Sequence, residues 1–182
     1  VAFTVLSTQL PGQLSTGRQF FELALMLLDS MQSAALACST CFGVAVSMFH
    51  FRHLKEAPHY YERALALGIQ GGNLPYASYS TLHKAVANLA TGVALSRVLA
   101  QIEADYAIVL RINEPIGTAY LNLGRRFILA LWGRTTAATD LGCSEGTEAE
   151  LIHSMLQRPE LLHASYWFYL LKLQLSVLYG SY

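Results

Sequence analysis

Cys38-x-x-Cys41 followed by His50-x-x-His53 is the first grouping in this sequence whose residue types can do chemistry. Two thiolates and two imidazoles can form a tetrahedral zinc set. The spacing argues against it. If residues 33–51 form one helix, Cys41 and His50 stand roughly 13 Å apart along its axis, at about 1.5 Å rise per residue. Zinc bonds of about 2.0–2.3 Å cannot bridge that gap. A redox dithiol of the thioredoxin type needs its first Cys at a helix N-terminus, where the thiolate is favoured. Ala34-Ala35-Leu36-Ala37 precedes Cys38 instead. Both thiols are read as packing residues, and Cys143 as a lone loop thiol. Three scattered cysteines suit a reducing cytoplasm.

The other chemical candidates are thinner. His50, His53, His59, His83, His153 and His163 make no H-E-x-x-H or similar set. No G-x-S-x-G, G-x-x-x-x-G-K-[ST] or H-R-D signature occurs. Gly68-Ile69-Gln70-Gly71-Gly72 is glycine-rich, but it follows a helical pattern rather than a strand, so it reads as a helix stop and not a phosphate cradle. Arg125, Arg126 and Arg134 form the only local basic group and have the chemistry to bind a phosphate or an acidic tail; a solvated helix face is the simpler reading. Tyr60-Tyr61 and Tyr166-Trp167-Phe168-Tyr169 suit either a peptide groove or an ordinary helical core, and core is preferred. No catalytic residue, metal ligand or cofactor follows from the sequence. The segment reads as non-enzymatic, and its partner-binding residues stay unassigned.

The elements that must position these residues are helices. Apolar side chains recur at helical spacing along the chain: Phe20, Leu23, Leu27 and Met31; Leu54, Ala57, Tyr61, Leu65 and Gly68; Tyr76, Tyr79, Leu82, Val86 and Leu89; Leu95, Leu99, Ile102, Tyr106 and Val109; Ile116, Tyr120, Leu123, Phe127 and Leu131. Residues 161–178 are apolar almost all round, which predicts an inner helix. Thr16-Gly17-Arg18-Gln19 and Thr147-Glu148-Ala149-Glu150 fit capping boxes. Asn73-Leu74-Pro75 and Asn113-Glu114-Pro115 each offer an Asn cap with Pro in the first turn, and Pro159 opens the last helix. Gly71-Gly72 and Gly133 are stops. Residues 134–146 read as the one long loop. The stretch 30–51 carries no charge, yet Gln32, Ser33, Ser39, Thr40, Ser47 and His50 interrupt it, so a buried helix is preferred to a membrane span.

These marks repeat. Asn73 and Pro75 return about 40 residues later as Asn113 and Pro115, and Leu54, Ala57 and Tyr61 return as Leu95, Val98 and Ile102. Tyr120-x-x-Leu123-Gly124-x-x-Phe127 has the spacing of the tetratricopeptide pattern W-x2-L-G-x2-Y. Tyr79, Leu82 and Val86 fill the same slots one period earlier, and Cys38, Cys41 and Ala45 one period before that. The fold class is therefore all-α: a tetratricopeptide-like α-solenoid of antiparallel helix pairs, about eight helices with a period of about 40 residues.

The chain has 182 residues, no net charge, and 53% hydrophobic against 13% charged side chains. The apolar fraction excludes disorder, and neutrality gives no support to a nucleic-acid partner. The charged fraction is about half the usual 25%, which predicts a surface partly covered in its native setting. With Val1 at the start, residues 1–182 are read as one helical-repeat segment of a longer polypeptide.

His53-Leu54-Lys55-Glu56-Ala57-Pro58-His59-Tyr60-Tyr61-Glu62-Arg63-Ala64 resembles a helix of very large bacterial signalling proteins. Gly72-Asn73-Leu74-Pro75-Tyr76-Ala77-Ser78-Tyr79-Ser80 and the run from Leu161-Leu162-His163-Ala164-Ser165-Tyr166-Trp167 to Leu175 are similar to the same region. In that family a serine/threonine kinase and an AAA-type ATPase precede a tetratricopeptide-like region, and a GAF sensor and often a histidine kinase follow. The resemblance covers only the helical middle, so it carries over no catalytic residue. It implies a cytoplasmic scaffold or regulatory segment that relays signals through protein–protein contacts. Its partners would be flanking domains of the same chain and other proteins, with no nucleic acid and no membrane span. An independent peptide-binding module is the alternative.

Overall fold

The computed structural model describes residues 12–181. Among them are eight α-helices, with no strand beyond an isolated bridge between Cys143 and Gly146. They are α1 (Leu14–Leu28), α2 (Ala34–Phe51), α3 (Ala57–Gly71), α4 (Leu74–Ala90), α5 (Leu95–Arg111), α6 (Pro115–Leu131), α7 (Glu148–Leu156) and α8 (Leu162–Tyr179). Short 3-10 turns, Leu54–Glu56 and Pro159–Leu161, lead into α3 and α8. The chain divides between Gly92 and Val93 into two compact units.

In the first unit α2 packs against α1, α3 and α4, and α3 packs against α4. Two adjoining apolar clusters hold it. One joins Phe21, Val44, Met48, Ala57 and Tyr61; the other joins Leu28, Cys38, Cys41 and Ala64. The α2–α3–α4 contact is made of small residues. A Cβ added at Gly68 would lie 2.7 Å from Ala77 Cβ and 2.9 Å from Cys38 Sγ, and one added at Gly71 would lie 2.4 Å from the Ala35 backbone nitrogen. Asn73 ties the same corner, donating from Nδ2 to the Ala35 carbonyl at 3.0 Å. By length and composition α2 could cross a bilayer, but half of the helix is buried inside the fold.

In the second unit α5 packs on α6, α6 on α8, and α7 on α8. The loop 132–147 separates α6 from α7 and is braced from both sides. Buried Arg126 of α6 donates through Nη1 to the carbonyls of Leu141 and Gly146, both at 2.9 Å. Lys172 of α8 donates to the Thr139 carbonyl and pairs with Glu148 at 2.9 Å. Glu148 in turn accepts from the Leu141 N–H at 2.7 Å, and Leu141 is fully buried.

Several local expectations change. Helix α1 buries Gly17, Phe21, Ala24 and Leu28, one residue out of phase with the expected stripe, and leaves Phe20, Leu23 and Leu27 exposed. The expected stripe is the more apolar of the two, but the buried one carries the small Gly17 and Ala24 that allow close approach, and Phe21 packs on Phe51 with ring centroids 5.2 Å apart. Thr16 lies inside α1, whose N-cap is Gln13, so no capping box forms there. At α6 the cap is Glu114, whose carboxylate accepts from the Ile116 and Gly117 N–H groups, while Asn113 turns the chain with φ of 52°. The Thr147–Glu150 capping box is present as read. Helix α8 is not covered all round: Ala164, Phe168, Leu171 and Leu175 are buried, and the opposite face is open.

Candidate functional site

Cys38 and Cys41 sit one turn apart on the interior of α2, fully buried. Burial raises both thiols to about 11, so neither is a thiolate at neutral pH. No group of three or more His, Cys, Asp or Glu positioned for a metal occurs among the described residues. His50 lies in the last turn of α2, and His53 caps the next turn by accepting the Lys55 N–H on Nδ1 at 3.1 Å. Both thiols are packing residues: Cys38, Cys41 and Ala45 all lie in the core of the first unit.

The three arginines are not a basic patch. Arg126 is consumed by the loop carbonyls and by Asn122 Oδ1 at 3.1 Å. Arg125 pairs with Glu145 at 2.8 Å and lies 3.6 Å from Glu103. Arg134 lies over the Trp132 ring at 3.8 Å. Each guanidinium finds its partner within the second unit.

Aromatic residues gather in two places. In the first unit Phe42 of α2 meets Tyr61 of α3 and Tyr76, Tyr79 and His83 of α4. His83 stacks on Tyr61 with centroids 5.9 Å apart. Burial lowers His83 to about 4 and pushes the Tyr61 hydroxyl above its usual range. An apolar recess of about 260 Å³ opens beside them, edged by Phe49, Leu54 and Val86. In the second unit Tyr120 of α6 hydrogen-bonds His163 Nδ1 and packs edge-on to Trp167.

A cleft with polar and apolar walls lies between α6 and α7. Its volume is about 320 Å³. Leu110, Leu151, Met155 and Leu161 supply apolar lining, while Thr118, Asn122, Ser154 and Arg158 add polar groups. Thr118 and Ser154 spend their hydroxyl protons on the carbonyls of Glu114 and Leu151, at 2.8 and 2.7 Å, and keep acceptor lone pairs. Arg158 pairs with Glu160 at 2.8 Å. The arrangement offers hydrogen bonds and apolar surface, with no nucleophile beside a base. Sequence reasoning missed this cleft because its lining comes from residues of α6 and α7 that only the tertiary fold brings together. It also missed the Lys172–Glu148 pair, whose members sit far apart in the chain.

Comparison with known proteins adds no relative: the sequence matches no protein family, no curated protein and no solved structure.

Proposed function

We propose that this chain is a non-catalytic, tetratricopeptide-like α-solenoid segment that serves as a scaffold or regulatory spacer in a multidomain signalling protein of the kinase–ATPase type. One observation carries the reading. In each unit a helix packs on the helix two places further along, α2 on α4 and α6 on α8, besides its sequence neighbour. That is the contact by which stacked helix pairs bury a face that a single pair leaves open. The repeat positions agree: Ala57 and Tyr61 in α3, and Val98 and Ile102 in α5, are buried at matching places. The signalling context comes from the resemblance of the sequence words around His53, Gly72 and Leu161. On this reading the segment works in the cytoplasm, its partners are flanking domains and other proteins, and it needs no cofactor.

Sequencing the flanking reading frame tests it. An ATPase P-loop upstream with a GAF or histidine-kinase domain downstream is the expected result. Stop codons closely bracketing the helices sink it. The cleft between α6 and α7 favours a second reading, an independent peptide-binding module. That reading expects a peptide array to return binders whose affinity falls in Asn122→Ala.

A further inference from the structure

Helix α8 carries a second apolar stripe that none of the described residues buries. Leu162, Tyr166, Tyr169, Leu173 and Val177 fall at spacings of three and four, directly opposite the buried Ala164, Phe168, Leu171 and Leu175. Their exposures are 48, 64, 57, 60 and 55%, and the adjoining Leu170 is 42% exposed. Its neighbour in the unit is different: α6 buries Tyr120, Leu121, Leu123, Phe127 and Ile128, covered on one side by α5 and on the other by α8. From Leu162 to Leu173 the steps run four, three, four, the alternation of a seam along which two helices pack side chain into gap, and Val177 lies one turn further on.

We propose that this stripe is a self-association surface, pairing α8 with α8 of a second copy of the chain in antiparallel, two-fold fashion. Three features favour a second copy as the occupant. The first is area. Taking about 200 Å² for a fully exposed large side chain, the six residues offer on the order of 600 Å² per copy. A pair would bury about 1,200 Å², the lower bound of specific interfaces. The second is charge. The only Lys, Arg, Asp or Glu on α8 is Lys172, and it lies off the stripe, held by Glu148 and the Thr139 carbonyl. Nothing charged on the stripe repels its own image. The third is symmetry. The stripe is apolar from end to end, with tyrosines at its middle, so a two-fold axis near Tyr169 sets Leu162 and Tyr166 of one copy against Val177 and Leu173 of the other. A two-fold interface must be self-complementary in this way.

Sedimentation equilibrium of the 182-residue chain across the micromolar range reads the dimer directly. The expected result is a monomer–dimer equilibrium that Leu173→Glu weakens by at least about a hundredfold. An unchanged helical circular-dichroism spectrum and melting curve show that the variant still folds, since the side chain is exposed. A second measurement fixes the geometry. Tyr169→Cys, near the axis, gives a covalent dimer on mild oxidation, whereas Gln174→Cys, on an exposed flank of α8, does not. A chain that stays monomeric throughout, a dimer indifferent to Leu173→Glu, or equal crosslinking at both positions overturns the proposal.

Discussion

Replacing Gly71 by Ala tests the close-packed corner of the first unit. An ideal Cβ at this position meets the Ala35 nitrogen at 2.4 Å, the Ala34 carbonyl carbon at 2.8 Å and Ala35 Cα at 2.9 Å. All three are backbone atoms, so no rotamer change gives relief. The first turn of α2 must move by about 1 Å to restore contact near the usual 3.5 Å. Overpacking of this kind costs about 3 kcal/mol at the upper end of its range. Stretching the Asn73–Ala35 hydrogen bond adds about 1 kcal/mol. The better helix propensity of Ala returns up to about 1 kcal/mol. The net loss is about 3 kcal/mol, a fall of about 1.5 M in the urea midpoint at a slope near 2 kcal/mol/M. Gly72→Ala is the control. Gly72 has φ of 74° and open space around it, so Ala costs only the left-handed strain of about 1–2 kcal/mol. Both tryptophans, Trp132 and Trp167, lie in the second unit, so far-UV circular dichroism is the probe of choice. A Gly71→Ala protein as stable as the parent, or more stable than Gly72→Ala, would refute the argument that backbone contact requires glycine here.

Three further outcomes are expected. His83 titrates near 4 when folded because burial disfavours its charged form, against 6.5 for a free imidazole. Between those values the unfolded chain binds a proton that the folded chain does not, so stability falls as pH drops from about 6.5 to 4. The loss is roughly 3 kcal/mol at about 1.4 kcal/mol per pH unit; denaturation at pH 7 and pH 4.5 should show a gap that His83→Gln narrows. Arg126→Met leaves the buried Leu141 carbonyl without its donor, while the Gly146 carbonyl keeps the Cys143 N–H, and should cost about 2 kcal/mol. Protease nicking within 132–147 under native conditions checks it. Asn113→Gly relieves a positive φ at the α5–α6 turn and should raise the melting temperature, with a gain of about 1 kcal/mol.

The sequence made the helices and their punctuation readable because these rest on local rules. Tyr120, Leu123 and Phe127 are buried at the expected spacing, Thr147 and Glu150 close their capping box, and Gly72 and Gly133 stop their helices with positive φ. What the sequence hid depends on tertiary choice. The phase of α1 was misread because the more apolar stripe, headed by Phe20, is not the one that α1 buries. Helix α4 buries Ser78, Ser80 and Thr81, which polarity places outside. Ser80 and Thr81 satisfy their hydroxyls on the carbonyls of Tyr76 and Ser78, at 2.7 and 2.6 Å, and so can sit in a core. Arg125, Arg126 and Arg134 read as one basic group because sequence shows charge without showing the carboxylates, carbonyls and ring that absorb it. The open face of α8 was invisible for the same reason: an apolar helix looks alike whether one neighbour covers it or two.

The braced loop has a consequence in time. A ribosome delivers α6, then 132–147, then α7, and only last the turn of α8 that bears Lys172. Arg126 can gather the Leu141 and Gly146 carbonyls as soon as they emerge, closing short spans of chain. Glu148 has no lysine to meet until Lys172 arrives, and the Tyr120–His163 bond waits for the same helix. Until then the nascent second unit carries an uncompensated carboxylate beside a half-held loop, and the arrival of α8 both neutralises that charge and covers α6. Completion of this unit is thus set by its latest-made helix, a delay that long-range contacts impose on any growing chain.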